Sequence, residues 1–368
     1  MISFTRCVMK CMNLLLTFNF LKMQKVRLGR SGLVVPRNGF GALPIQRIPM
    51  GDAVWLIRRA LDGGMYYFDT ARFYTDSEEK LGVALEGRRH DVIISTKTGA
   101  TTVEGFWKDL ETSLRLLKTD YIDLYQFHNM PFCPRVPAAG NDKEAEQSVR
   151  LYEAMLEAQR QGKVLHIGIT NHRQRVAIEA IESGLYETLQ YPFSYLATEA
   201  DINIVERCLK AGMGFICMKG LSGGLITHSA AAYAWLAQYE VAPIWGIQKE
   251  SELDEWLSYQ NNPPVLTDEM RAQIEKDRRE LCGEFCRGCG YCQPCTVGIQ
   301  IQDCNRMSLF LQRAPHSVYV TEEWRKEMDK IDLCVHCDLC KSRCPYGLDI
   351  PNLLVKNKAD FDRVWNCL

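Results

Sequence analysis

Residues 92–127 read VIISTKTGATTVEGFWKDLETSLRLLKTDYIDLYQF, and they hold one full cycle of the pattern on which the fold rests. The apolar run Val92–Thr96 comes first. Phe106, Leu110, Leu114 and Leu117 follow, spaced four, four and three to form one helical stripe, and a second apolar run, Tyr121–Phe127, closes the cycle. Strand, helix and strand in that order make a βα unit, whose crossover suits a parallel sheet. The rhythm extends from Arg37 to about Trp256, through the runs Asn38–Leu43, Met65–Phe68, Val92–Thr96, Tyr121–Phe127, Val164–Ile169, Thr188–Gln190, Gly214–Met218 and Val241–Ile244. Val149, Tyr152 and Leu156 form another amphipathic stripe among them. Eight strands each followed by a helix close a TIM barrel, and roughly 230 residues is a compact size for one. An open doubly wound sheet is the alternative, but no G-x-G-x-x-G follows the first strand.

Outside this region the pattern changes. Val26–Leu33 reads as two strands around a glycine turn, placed to plug the bottom of the barrel. Pro263-Pro264 ends the barrel rhythm, and a charged helix, Asp268–Leu281, leads into a cysteine-rich tail. The expected organisation is an extension over residues 1–22, a (β/α)8 barrel over 23–262, a linker and charged helix over 263–281, and a small α-helical domain over 282–368. Leu14–Leu21 follows Arg6 and Lys10 as in a signal peptide, but no small-x-small cleavage site follows. The extension reads as disordered or as a mis-set start with Met23 opening the fold; a short anchor or interface helix is the alternative.

Half of the sixteen cysteines lie in two runs, Cys286, Cys289, Cys292, Cys295 and Cys334, Cys337, Cys340, Cys344. The second run has the C-x2-C-x2-C-x3-C-P spacing of iron–sulfur cubanes, in which the fourth thiolate reaches the other cluster. Pro345 turns that fourth ligand away from the first three. Crossed ligation then predicts one [4Fe-4S] cluster on Cys286, Cys289, Cys292 and Cys344, and another on Cys334, Cys337, Cys340 and Cys295. The first run ends in an x2 gap with Thr296 in place of proline, so Cys304 stands as the substitute for Cys295. A pair of four-cysteine zinc sites is the competing reading. Cys282, Cys367 and the cysteines of the first half read as small buried apolar residues. Trp324, Met328 and Ile331, with Thr321 as N-cap, predict a helix leading into Cys334.

Thiols at cluster spacing require a reducing compartment, and the cytoplasm is the expected location. A formal net charge of −1 gives no electrostatic reason to expect nucleic acid or an acidic membrane as partner. No apolar run is long enough to span a bilayer.

A barrel places its chemistry at the C-terminal ends of its strands, where this sequence puts Asp69, Lys97, His128, Asn171 and Gln190. Each has an ordinary reading as helix cap, core histidine or turn residue, but five on one rim point to a site. An enclosed lysine requires a carboxylate, and Asp69 supplies one for Lys97. Tyr74, five residues after Asp69, is then a general acid whose phenolate the ammonium stabilises. His128 is placed to orient and polarise a carbonyl.

These residues carry a resemblance. Gly64–Tyr74 with Ser77-Glu78, Ile94–Thr98 and Asp120–His128 resemble the motifs of aldo-keto reductases, and Asp69, Tyr74, Lys97 and His128 match the family tetrad. Gly162–Asn171 is similar to the segment that grips the nicotinamide amide, which implies Thr170, Asn171 and then Gln190 as contacts. The tail resembles the dicluster ferredoxin-like domain carried by a bacterial branch of the family. The resemblance implies NADP or NAD, a small carbonyl or alcohol substrate, and nucleotide contacts at Met218, Lys219, Gly220, Leu221, Gly223, Gly246, Lys249 and Glu255. Met218 stands where many members stack a tyrosine. Glu252 stands at an arginine position and would repel a 2′-phosphate that Lys249 attracts, so the choice between NAD and NADP stays open. Specificity is expected from loops such as Asn129–Gln147, with Pro131, Pro134 and Pro137. The rival reading is an electron-transfer protein that keeps the barrel as scaffold, with a ferredoxin or flavoprotein as partner. Joining one-electron clusters to hydride chemistry usually takes a flavin, for which the sequence shows no site, so the tail is open to a structural role, to passing electrons to a partner flavoprotein, or to coupling with a further cofactor.

Overall fold

The computed structural model describes residues 24–135, 143–281, 285–313 and 316–367. The N-terminal extension, Met23, Cys282 and the middle of the Asn129–Gln147 loop lie outside the described residues. Two compact units form. Of the described residues, one comprises those up to Phe193, Ala197–Gly220 and Tyr233–Val265; the other comprises Ser194–Leu196, Leu221–Ala232 and those from Leu266 onward.

The first unit opens with a short antiparallel pair, β1 (Lys25–Arg27) and β2 (Val34–Pro36). Eight parallel strands follow: β3 (Gly39–Gly41), β4 (Tyr67–Asp69), β5 (Ile93–Thr98), β6 (Ile122–His128), β7 (Val164–Thr170), β8 (Thr188–Pro192), β9 (Gly214–Met218) and β10 (Val241–Gly246). They close in sequence order, with β10 pairing to β3, as the eight apolar runs predict. Val26 and Val35 of the N-terminal pair, with Leu28 from the connection between them, share a buried cluster with Tyr67, Leu124 and Ala242 from the strands, which makes the pair a floor for the barrel.

The helix between β5 and β6, Val103–Leu117, shows why the pattern was readable. Thr102 caps it by accepting from Gly105 N at 3.1 Å, and Lys118 at φ +52° ends it. Phe106, Leu110, Leu114 and Leu117 are all buried, each worth about 1.5–3 kcal/mol. Two expectations need correction. The first strand is three residues, not Asn38–Leu43, because Pro44 opens a 3₁₀ turn and Leu43 precedes it in helical backbone. In the helix Lys143–Arg160 the buried face runs through Ser148, Leu151, Tyr152, Met155 and Ala158, so the stripe Val149–Tyr152–Leu156 lies one position off its centre.

The second unit is helical. Asp268–Glu280 is capped by Thr267, and Tyr195 donates a hydrogen bond to its buried Asp277. Short helices and loops then surround a core of Ile299, Ile301, Met307, Met328, Ile350 and Phe361. Thr321 caps Glu322–Asp329 as expected, and Leu339–Arg343 ends at Cys344, just before Pro345. No helix of the described residues is long and apolar enough to cross a membrane.

Candidate active site

Asp69 ends β4, Lys97 lies one residue from the end of β5, and His128 ends β6. These strands are neighbours, so three residues far apart in sequence meet on one arc of the rim. Lys97 Nζ lies 2.6 Å from Asp69 Oδ2 and donates to Thr70 O at 2.5 Å. Both side chains of the ion pair are almost fully enclosed, at 1% and 3% exposure. The other Asp69 oxygen accepts from Ser95 Oγ at 2.7 Å, and Tyr67 OH stands 3.1 Å behind that hydroxyl. Gln126 Nε2 donates to Gln190 Oε1 at 2.8 Å, and Gln190 Nε2 reaches Asp69 Oδ2 at 3.4 Å. Burial lowers the Lys97 pKa, and Asp69 opposes that shift by favouring the charged form.

Tyr74 sits in the turn after β4, held by its N–H on Ala71 O at 3.0 Å. Lys97 Nζ is 5.5 Å from its ring centroid, and its ring meets that of His128 edge-on at 5.9 Å. The four tetrad residues are thus brought together. His128 Nδ1 is buried without a hydrogen-bond partner. Burial, and secondarily the Lys97 charge, pull the imidazole pKa down to about 3. His128 is therefore a neutral donor or acceptor over the working range. The folded protein stays unprotonated at His128 where the unfolded chain binds a proton below about pH 6.5, so this residue makes stability fall as pH drops from 6.5 towards 3. In ¹⁵N-histidine spectra, His128 is expected to show no inflection between pH 5 and 8; a midpoint near 6.5 would contradict this environment.

The residues expected around the nucleotide fall in several settings. Thr170 ends β7 and points its hydroxyl at Met218 Sδ, 3.9 Å away. Asn171 is fully buried, with Nδ2 donating to Met130 O at 2.8 Å and Oδ1 accepting from Arg173 N at 2.9 Å. Its amide and that of Gln190 already hold structural bonds. Gly220 leaves no room for a side chain, since a Cβ there would lie 2.6 Å from the Trp245 ring. Gly246 ends β10, and Lys249 precedes the helix Glu250–Asn261. Glu252 accepts from Gln248 N at 2.9 Å and Lys249 N at 3.1 Å, so its carboxylate caps that helix. Glu255 is exposed on the same helix and accepts from Tyr259 OH at 3.0 Å. Leu221 and Gly223 belong to the second unit.

In that unit the cysteines of the two runs form two groups that overlap at Cys292. Cys286 is pushed up by burial first, with Cys289 and Cys344 near enough to add to the rise. Cys292 is pushed up to about 12 by burial, then by Cys286, Cys289 and Cys344. Cys295, Cys334, Cys337 and Cys340 line one recess, with Cys292 also on its wall. Cys304 does not line that recess; it is buried beside Glu327 and Asp303, whose charges add to the burial that raises its thiol to about 12. Among the described residues, no three Cys, His, Asp or Glu side chains close on a single metal ion.

The Aldo/keto reductase family matches residues 38–231, which include Asp69, Tyr74, Lys97 and His128. The chain belongs to the aldo/keto reductase family. A second match, to the 4Fe-4S dicluster domain, covers residues 285–349 and both cysteine runs. The chain is 28% identical over 186 residues to the uncharacterized oxidoreductase YqkF of Bacillus subtilis, covering 47% of this chain and 56% of that protein. It is 29% identical over 227 residues to L-galactose dehydrogenase of Arabidopsis thaliana, covering 56% of this chain and 68% of that one. The match thus spans about half to two thirds of these relatives. An aldo-keto reductase structure from Bacillus halodurans superposes with a TM-score of 0.59 at 22% identity, over 69% of this chain and 96% of that one, which shows the shared barrel.

Sequence reading missed three parts of the rim site. Ser95 and Gln126 tie Asp69 into the barrel interior, and both face inward by strand alternation, a signal already present in the sequence. Phe73, 69% exposed and 6.0 Å from the His128 ring, had no such signal, because an exposed apolar turn residue has no period.

Proposed function

We propose that the protein moves a hydride between NADPH or NADH and an aldehyde or ketone at the barrel rim. The observation that carries this reading is the enclosed Asp69–Lys97 pair beneath Tyr74, with an unprotonated His128 beside it. Bound nicotinamide supplies the hydride, and the clusters supply single electrons. Tyr74 gives its phenolic proton to the carbonyl oxygen as the substrate is reduced, and takes one back in the reverse direction. Lys97 stabilises the phenolate that remains, and Asp69 keeps Lys97 charged. His128, neutral, offers an N–H to the same oxygen and orients the carbonyl.

Thr170 and Met218 are the rim groups suited to cover the nicotinamide ring, Met218 through its polarisable sulfur. Lys249 is placed to attract the adenosine phosphate, while Glu252, whose carboxylate caps the start of the helix Glu250–Asn261, keeps its negative charge there and opposes a 2′-phosphate. Two [4Fe-4S] clusters fit the two thiol sets, one on Cys286, Cys289, Cys292 and Cys344, the other on Cys295, Cys334, Cys337 and Cys340. Such thiolates suit a reducing cytoplasm. Cys337 is exposed near the exposed side chains of Leu333, Val335 and Leu339, which favours a redox partner such as a ferredoxin or flavoprotein at the second cluster.

The test is anaerobic oxidation of NADPH and NADH against a panel of aldehydes and ketones. Saturable turnover with a carbonyl is expected. Absence of turnover across the panel, in protein that holds its iron and exchanges electrons with ferredoxin, would instead establish the barrel as a scaffold. For the ligands, Cys295→Ser is expected to lose about half of the bound iron and Cys304→Ser almost none. The reverse order in an iron and sulfide assay would move the fourth ligand to Cys304.

A further inference from the structure

Arg306 lies in the second unit and is only 8% exposed, yet its guanidinium is fully engaged. Nη1 donates to Gly223 O at 2.6 Å, Nε to Gln302 O at 3.1 Å, and Nη2 meets Asp303 Oδ1 at 3.2 Å. The Phe310 ring covers it at 4.7 Å. Two glycines make room for it. A Cβ on Gly288 would lie 2.8 Å from the guanidinium carbon, and one on Gly223 would lie 2.9 Å from Nη1 and 3.6 Å from Arg287 O. Both glycines also hold positive φ, +61° and +69°. Gly288 stands between Cys286 and Cys289, and its N–H donates to Cys286 Sγ at 3.4 Å.

The loop Leu221–Gly224 therefore rests, through one buried cation, on the segment that carries two thiols of the first set. We infer that Arg306 is a positioning residue that couples the group held by Cys286 and Cys289 to the nucleotide loop. This rests on the reading of Leu221 and Gly223 as nucleotide contacts. With the cysteine segment fixed by its cluster, Arg306 holds the Gly223 carbonyl and the loop keeps the shape that receives the nucleotide. Without the cluster the segment loosens, the Gly288 backbone no longer backs the guanidinium and Cys286 no longer packs on Gln302 O, which Arg306 also holds, so ordering the loop costs binding free energy. The tail then has a role that needs no electron to leave it.

The experiment is a double-mutant cycle on anaerobically reconstituted full-length protein, with NADPH and NADH affinity read by calorimetry and cluster content by iron assay and visible absorbance. Arg306→Lys and Arg306→Ala are expected to keep their iron and weaken nucleotide binding about tenfold, with the larger loss for alanine. Cys286→Ser, which removes the first cluster, is expected to weaken binding similarly in wild type but by less than about twofold in the Arg306→Ala background. Additive losses, or wild-type affinity in iron-replete Arg306 variants, overturn the coupling. Should Arg306→Ala fail to fold by circular dichroism, Arg306→Lys and chelator-stripped wild type carry the same comparison. Wild-type protein that binds neither nucleotide when fully loaded refutes the underlying nucleotide reading instead.

Discussion

Tyr74→Phe is expected to lower kcat for carbonyl reduction about a thousandfold at neutral pH, the scale of a lost general acid. In the proposed mechanism the phenol is the acid on this arc. Lys97 is tied to Asp69 and Thr70 O, and His128 is held neutral, with a pKa pulled down to about 3. Neither replaces the lost proton donor. The ring itself remains in the variant, so its edge-on contact with His128 and its position over Lys97 survive. Fold and nucleotide affinity should therefore change little, and the loss should fall on kcat. Single-turnover oxidation of bound NADPH, monitored at saturating carbonyl, separates this step from product release. A variant that retains more than about a tenth of wild-type turnover would remove Tyr74 from the role of acid.

The barrel was legible because its signals are periodic. Strand runs and the stripe Phe106–Leu117 repeat at spacings fixed by the backbone, so a single sequence suffices to count eight βα units. Asp69, Lys97 and His128 were legible by position, as polar residues at strand ends. Their partners were harder to find. Asn171 looks like a ligand-facing amide in sequence, yet its contacts are Met130 O and Arg173 N, which depend on how two loops meet. Glu252 reads in sequence as a charge only, and its second role as a cap, accepting from Gln248 N and Lys249 N, shows in the fold. Spacing left Cys295 and Cys304 as alternatives, and only the fold separates a recess shared with other thiols from a buried position between carboxylates. Arg306 carried no sequence signal, because its partner Gly223 lies 83 residues away.

Asp69→Ala is expected to cost about 3–5 kcal/mol of stability and to abolish turnover, because it strands a buried ammonium. Lys97 is 1% exposed, its pKa is already lowered by burial, and among its bonds only Asp69 brings a negative charge. Lys97→Met should cost less. Asp69 would keep Ser95 Oγ and Gln190 Nε2 as donors, so its carboxylate would not be abandoned. The double variant Asp69→Ala/Lys97→Met removes both charges and leaves an apolar gap in place of an ion pair, and such replacements are often near neutral. It is expected to recover most of the stability lost in Asp69→Ala while remaining inactive. Urea denaturation of the four proteins gives the coupling energy directly, and turnover measured on the same samples separates folding from chemistry. An Asp69→Ala variant destabilised by less than about 1 kcal/mol would mean that Lys97 sheds its proton or reaches water, and the pair would then no longer be what holds positive charge beside Tyr74.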